Sequence, residues 1–219
     1  MYMNDNNVVK ISGVVSQAFE SHHTLMGETF YQTFLEIERD SKIIDRIPVV
    51  VSDRLFDITA DCTGMYATVQ GSYRSYNEHP KDGSRSKLIL YVFANEFDVE
   101  EVPTRRRDSN MVHLDCYICK SATLRGTPLG REISDVLIAV NRQYGHSDYL
   151  PCICWGRNAK YVASLTVGTH LYVEGRIQSR LYLKKYDDGT QEDKIAYEVS
   201  VQFIEKICDN TDEAVDEVL

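Results

Sequence analysis

The stretch "GTHLYVEGRIQSRLYL", Gly168–Leu183, decides the fold, because the chain writes a counterpart a hundred residues earlier: "GMYATVQGSYRSY", Gly64–Tyr76. Each begins on a glycine and carries a second one seven residues later, Gly71 in the first and Gly175 in the second. From Leu171 onward the residues alternate. Leu171, Val173, Gly175 and Ile177 fall on one side, and Tyr172, Glu174, Arg176, Gln178, Arg180 and Tyr182 on the other. A period of two predicts a strand with the first set turned to a core and the second turned outward.

The repetition extends in both directions. A shift of 103 residues places "NVVKISGVV" (Asn7–Val15) on "NMVHLDCYI" (Asn110–Ile118), Gly27 on Gly130 and Pro48 on Pro151. One further residue of slip aligns Gly64 with Gly168, and another two bring "LYVFANEF" (Leu90–Phe97) opposite "AYEVSVQF" (Ala196–Phe203). A unit of this size is a duplicated domain, because solenoid repeats run to roughly 20–50 residues. The predicted plan is a first domain over 1–102, a polar, proline-bearing linker over 103–109, a second domain over 110–208 and an acidic tail over 209–219.

In the second copy "HLDCYIC", "EISDVLIAVN", "LPCICWG", "HLYVEGRIQSRLYL" and "IAYEVSVQFI" are β-branched or aromatic runs bounded by turn residues. "NAKYVASL" instead has helical spacing, with Asn158 as its expected N-cap. Three strands, a short helix and two strands is the order of the five-stranded OB barrel. The fold expected is all-β: two tandem OB barrels, each with a short helix between strands three and four. "SDRLFDITADCTG" fills the helix slot of the first copy.

Composition bounds the function. The net charge of −9 argues against a nucleic-acid partner, but residues 109–208 hold twelve Lys/Arg against eleven Asp/Glu, and the tail "DNTDEAVDEVL" has five acids and no base. A local basic face therefore remains open. No apolar run reaches the ~18 residues of a membrane span, and "MYMNDNNVVK" is too polar for a secretory signal, so a cytoplasmic protein without a membrane partner is expected. Six cysteines in that setting read as reduced thiols. Cys116 and Cys119, three apart on a strand, point to opposite faces and would not share a zinc ion. His22-His23 and the scattered acids show neither nucleophile nor ligand spacing and read as solvated loop residues, so neither enzyme nor cofactor is expected.

The outer row of the long strand carries Arg176, Arg180 and Tyr182. In "LPCICWG" and the residue before it, Leu150, Cys152 and Cys154 alternate with Tyr149, Ile153 and Trp155, the sole tryptophan, and Tyr144 precedes them in the loop "QYGHSD". Aromatics interleaved with basic residues on an exposed sheet suit single-stranded nucleic acid. Every base has a π-face, stacking is worth ~1–3 kcal/mol per base, and Arg or Lys meets the phosphates.

"GREISDVLIAVNRQY", "LPCICWGRNAKYVASL", "GTHLYVEGRIQSRLY" and "YEVSVQFIE" together resemble the OB domain of bacterial single-stranded DNA-binding proteins, over nearly all of Val112–Ile207. The resemblance implies sequence-independent binding of single-stranded DNA in replication, recombination or repair. It implies base stacking at Tyr144, Tyr149, Trp155 and Tyr182, the positions matching the family's four aromatic sites. At those positions the first copy has Ser41, Arg46, Ser52 and Glu78, although Tyr66, Arg74 and Tyr76 remain on its outer row. The family works with four barrels together, so a homodimer of two-barrel chains is implied. "KKYDDGTQEDK" (Lys184–Lys194) is a strand-four-to-five hairpin of the kind that helps OB folds grip oligonucleotides, with Lys184 and Lys185 beside the strand. "TRRR" (Thr104–Arg107) either meets DNA between the barrels or is a solvated linker. The tail lacks the family's long spacer and terminal proline-phenylalanine pair, so recruitment of replication or repair proteins through it is the weaker reading beside a solubilising end. A primosome-type OB protein acting through protein contacts, and a binder of single-stranded RNA, stay open as alternatives.

Overall fold

A computed structural model describes residues 6–80, 86–186 and 189–208, and in it the repeated alternation forms two closed barrels. The first comprises β1 (Asn7–Val15), β2 (Glu20–Leu25), β3 (Glu28–Glu38), β4 (Ile44–Ser52), β5 (Tyr66–Glu78) and β6 (Lys87–Glu100). The second comprises β7 (Asn110–Gly126), β8 (Glu132–Asn141), β9 (Ser147–Trp155), α1 (Arg157–Ala163), β10 (His170–Lys185) and β11 (Gln191–Lys206). In the first, β1 pairs with β3 and β5, β5 with β6, β6 in parallel with β4, and β4 with β3, which closes the ring. The second repeats this circuit through β7, β10, β11, β9 and β8. The expected inner residues Leu171, Val173 and Ile177 are buried with Val112, Leu114 and Leu150 in the core.

Four details depart from the sequence-based expectation. The first barrel has turns, not a helix, between β4 and β5, because "SDRLFDITADCTG" spends its Asp57 and Asp61 side chains on accepting the Thr59 and Thr63 amides. Such short Asx turns compete with helix formation. The α-helix of the second barrel has Gly156, not Asn158, at its N-cap, and the Asn158 side-chain amide donates to the Gln202 carbonyl instead. The long first strand of the second barrel corresponds to two pieces in the first, β1 and β2. Finally, β6 and β11 correspond at a shift of 107 residues, not 106: Val92 pairs with Val49 where Val199 pairs with Cys152. Phe97 thus matches the buried Ile204, and the exposed Phe203 matches Glu96. Both barrels bulge where β5 meets β6 and β10 meets β11, at Gly71 and Gly175. A Cβ at Gly175 would lie 2.5 Å from the Ser200 carbonyl oxygen, so the close strand approach requires glycine there.

The barrels join edge to edge. β1 and β7 pair antiparallel from Asn7–Leu114 to Ile11–Asn110, giving one continuous eleven-stranded sheet among the described residues. The junction has a two-fold pseudosymmetry written in the repeat. The buried Asp148 accepts the Ser75 amide at 2.7 Å, and its counterpart, the buried Asp45, accepts the Ser179 amide at 2.7 Å. In return Ser75 Oγ accepts the Tyr149 amide, and Ser179 Oγ the Arg46 amide. Arg142 forks onto Asp148 as Arg39 forks onto Asp45. Within each barrel Asn7 brackets Tyr73 and Asn110 brackets Ile177, each through both backbone groups.

The linker is fastened down. Arg106 pairs with Asp108 and donates to the Glu36 carbonyl, Asp108 accepts the Glu38 amide, and Ser109 bonds Ser12. Arg106 is therefore a structural residue, which removes it from the basic cluster read in "TRRR". The acidic tail, 209–219, lies outside the described residues.

Candidate nucleic-acid interface

β9 carries two of the four aromatic positions at its ends. Tyr149 leaves the junction with its amide tied to Ser75 and its ring 44% exposed, and Trp155 stands 40% exposed at the far end. Six residues of strand put them ~20 Å apart. Tyr182 is 36% exposed on β10, beyond the point where the barrel ends. Tyr144 is 93% exposed on a 3₁₀ turn, Gln143–Gly145, in left-handed backbone at φ 62°. The turn is held by the Arg142 amide donating to the His146 carbonyl, so the ring is projected outward by strained backbone with no packing beneath it. All four side chains are exposed. Ile153, expected beside them, is instead buried in register with Ser200.

The basic residues fall into two groups. Arg176 and Arg180 lie with Trp155 around a cleft of about 510 Å³ between the barrels. Arg176 is half-buried and its Nε has no hydrogen-bond partner among the described residues. Burial, with the Arg39 guanidinium nearby, lowers its pKa, although an arginine stays charged throughout the working range. Arg180 lies 3.7 Å from Glu198 and 5.8 Å from the Tyr182 ring centre. Gln178, expected on the outer row, is buried and donates to the same Glu198, which leaves that carboxylate well matched. Lys184 and Lys185 form the second group, further out on the β10–β11 hairpin, which stays paired to Lys185–Gln191. Lys184 sits 4.9 Å from the Tyr186 ring centre.

Sequence reasoning missed the first barrel's share of this surface. Arg39 and Ile43 line the cleft from the first barrel, and Arg131 lines it from the second. The Arg39–Asp45 pair recurs as Arg142–Asp148, so the repeat held a signal for the junction. It also misjudged the first barrel's outer face. Tyr66 is buried, with its hydroxyl donating to the Arg107 carbonyl and lying 2.9 Å from Ser12 Oγ, and Arg74 is committed to Asp148. Only Tyr76 stays accessible, edge-on to Tyr91. His22 and His23 lie on β2, not in a loop: His23 stacks on Phe30, Phe30 meets Phe93, and His22 meets Tyr76 and Tyr91. Desolvation, then His23, lowers the His22 pKa.

Among the described residues there is no cluster of His, Cys, Asp and Glu suited to a metal ion, and no helix long and apolar enough to cross a membrane. Cys116, Cys152 and Cys154 are core residues. Burial pushes their thiols up, that of Cys154 to about 12.

Comparison with known proteins falls mainly on the second barrel. The sequence model of the "Single-strand binding protein family" matches residues 109–207. Single-stranded DNA-binding protein 2 of Listeria monocytogenes is 32% identical over 115 residues, covering 48% of this chain and 69% of that protein. Single-stranded DNA-binding protein A of Bacillus subtilis is 33% identical over 103 residues, covering 44% and 59%. The chain thus spans about three fifths to two thirds of the length of these relatives. Over both barrels it is similar in fold to the wild-type single-stranded DNA binding protein from Thermus aquaticus, with a TM-score of 0.70, 20% identity and 93% of each chain covered.

Proposed function

Because the chain belongs to the single-strand binding protein family, we propose that it binds single-stranded DNA without sequence preference and shields it during replication, recombination or repair. It does so as a binding protein, without catalysis and in the cytoplasm. Bases stack on Tyr144, Tyr149, Trp155 and Tyr182, and phosphates meet Arg176, Arg180, Lys184 and Lys185. The observation that supports this most is a set of four exposed aromatic side chains on one barrel, with Trp155 lining the cleft beside Arg176 and Arg180, and Arg180 near the Tyr182 ring. Stacking needs a free π-face, and a ring used for packing would have lost it.

The residues divide accordingly. The barrel over 110–208 carries the binding face, 103–109 is the connection, and the barrel over 1–102 has lost the stacking set. Two chains paired as a homodimer would bring four barrels to one strand. For the tail over 209–219 a solubilising end is the stronger reading, and a contact with replication or repair proteins the weaker one.

A titration tests the reading. Trp155 is the sole tryptophan, so its emission reports directly on the β9 face. Oligo-dT should quench it strongly, and less at higher salt, while duplex and the matching oligo-U should not compete. Equal quenching by RNA would refute the DNA preference. No response from correctly folded protein would turn the aromatic face over to a protein partner.

A further inference from the structure

Resting on the single-strand-binding reading, we propose that the cleft between the two barrels grips one backbone phosphodiester of the bound strand between Arg131 and Arg176, with Arg39 of the first barrel behind them and the ring of Trp155 alongside.

The cleft's chemistry calls for an anion. Arg176 comes from β10 with its guanidinium half-buried and Nε unpaired among the described residues, and a buried donor without a partner is destabilising. The neighbouring Arg39 adds a like charge, which Asp45 and Asp40 oppose without cancelling the effect of burial and Arg39 together. Of the carboxylates nearby, Asp40 is exposed to water and acts on Arg176 less than Arg39 does, and the buried ones are committed. Asp45 already accepts both arms of Arg39 and the Ser179 amide, and Glu198 is shared by Gln178 and Arg180. The walls also suit more than a bare anion. At about 510 Å³, with Trp155, Ile43 and Leu181 among its lining, the cleft has room for a phosphate together with part of its nucleoside. Pockets for small ligands run to about 300–1,000 Å³.

The pseudosymmetry supplies an internal comparison. The matching place on the other side of the junction has the same strands and the same arginine–aspartate fork, Arg142–Asp148. There Glu28 stands where Arg131 does, Ser52 where Trp155 does, and Ser72 where Arg176 does. Glu28 is bound to Ser52 and lies 3.4 Å from Arg54. The fold therefore does not by itself demand a positive cleft; this chain has one on one side only. The cleft is also rigid, because the carboxylate that anchors Arg39 anchors the β10 backbone at Ser179 as well.

The test measures binding of labelled oligo-dT by the full chain as a function of salt. On single strands each phosphate neutralised contributes about 0.7 to the slope of log affinity against log salt. Arg131→Gln and Arg176→Gln should each flatten the slope by up to about 0.7, and the double variant by no more than about 0.7, because both grip the same phosphate. Arg54→Gln removes the same charge beside the opposite cleft and should leave the slope unchanged. Arg131 is exposed, so its variant folds and the test does not depend on the half-buried Arg176. Unchanged slopes in both variants, with oligo-dT still quenching Trp155, would overturn the cleft assignment while leaving single-strand binding intact. A loss of about 1.4 in the double variant would mean two separate phosphates and overturn the shared grip. Failure of the wild-type chain to bind oligo-dT would remove both readings. Inorganic phosphate at constant ionic strength should not displace the oligonucleotide; displacement that Arg176→Gln abolishes would assign the cleft to a free anion instead.

Discussion

Replacing Asp148 by asparagine should be among the most damaging isosteric changes available in this chain, although it touches no stacking ring. The carboxylate is fully buried and accepts from four donors: two on Arg142 (Nε at 2.6 Å), Arg74 Nη1 at 2.9 Å and the Ser75 amide at 2.7 Å. Asparagine keeps one acceptor oxygen and turns an NH₂ group toward the remaining donors, so about two charge-assisted bonds are lost at ~1.5–3 kcal/mol each. Arg142 and Arg74 keep about a quarter to a third of their side chains in water, which softens the loss. The expected cost is about 3–4 kcal/mol, within the ~3–5 found when one partner of a buried ion pair is removed. Asp45→Asn should cost less, about 2 kcal/mol, because one guanidinium depends on Asp45 where two depend on Asp148. Urea unfolding at pH 7, followed by far-ultraviolet circular dichroism, measures both. Since these carboxylates tie the barrels together, the double variant should unfold in two steps where the wild type unfolds in one. A cost below about 1 kcal/mol for Asp148→Asn, or a larger cost for Asp45→Asn, would refute the donor-by-donor reasoning.

Two further outcomes follow from the site and from the first barrel. Trp155→Ala and Tyr182→Ala should each weaken oligo-dT binding by ~1–3 kcal/mol in fluorescence anisotropy with a labelled strand, and unchanged affinity in both would remove the proposed face. The fold disfavours a charge on His22, since burial and then His23 depress its pKa below 6.5, and the two Nδ1 atoms share one contact of 2.7 Å. The unfolded chain takes up a proton as the pH falls through 6.5 while the folded chain resists, so stability should drop below about pH 6.5. His22→Phe should flatten that part of the melting-temperature profile between pH 8 and pH 5, and an unaltered profile would exclude His22 as the cause.

The barrels were legible because their signals are local and periodic. Alternation in Leu171–Ile177 marks one strand, and its recurrence at Tyr66–Tyr73 marks the plan of the whole chain. The exposure of Tyr149, Trp155 and Tyr182 was legible for the same reason, since they stand on strand rows turned outward, whereas Tyr144 lies on the turn before β9. What failed was either a one-residue matter or a long-range one. Matching Phe97 to Phe203 was attractive by residue type, but the bulges at Gly71 and Gly175 set a register in which Phe97 matches Ile204. Arg39 and Ile43 could not be placed at the cleft, because that needs the β1–β7 pairing, which no local pattern announces. The aromatic cluster around His22 was hidden by the turn-like look of "ESHHTLMG", whose strand character comes from pairing with β3.

The two copies have diverged in different places for different physical reasons. Asn7 and Asn110, Arg39 and Arg142, Asp45 and Asp148, and Ser75 and Ser179 are the same in both. The serines and aspartates face each other across the junction, where a pseudo-two-fold arrangement uses every contact twice. A change in one copy there breaks a bond made by the other, so neither copy can drift alone. The outer faces have no such tie. Where the second barrel has Trp155, Arg131 and Arg176, the first has Ser52, Glu28 and Ser72, and it has covered its own outer surface with Phe30, Phe93 and Tyr91. Duplication in this chain thus preserves a rigid frame and frees one face. The first barrel's remaining part in the proposed binding would be to hold that face at a fixed angle and to line its cleft with Arg39 and Ile43.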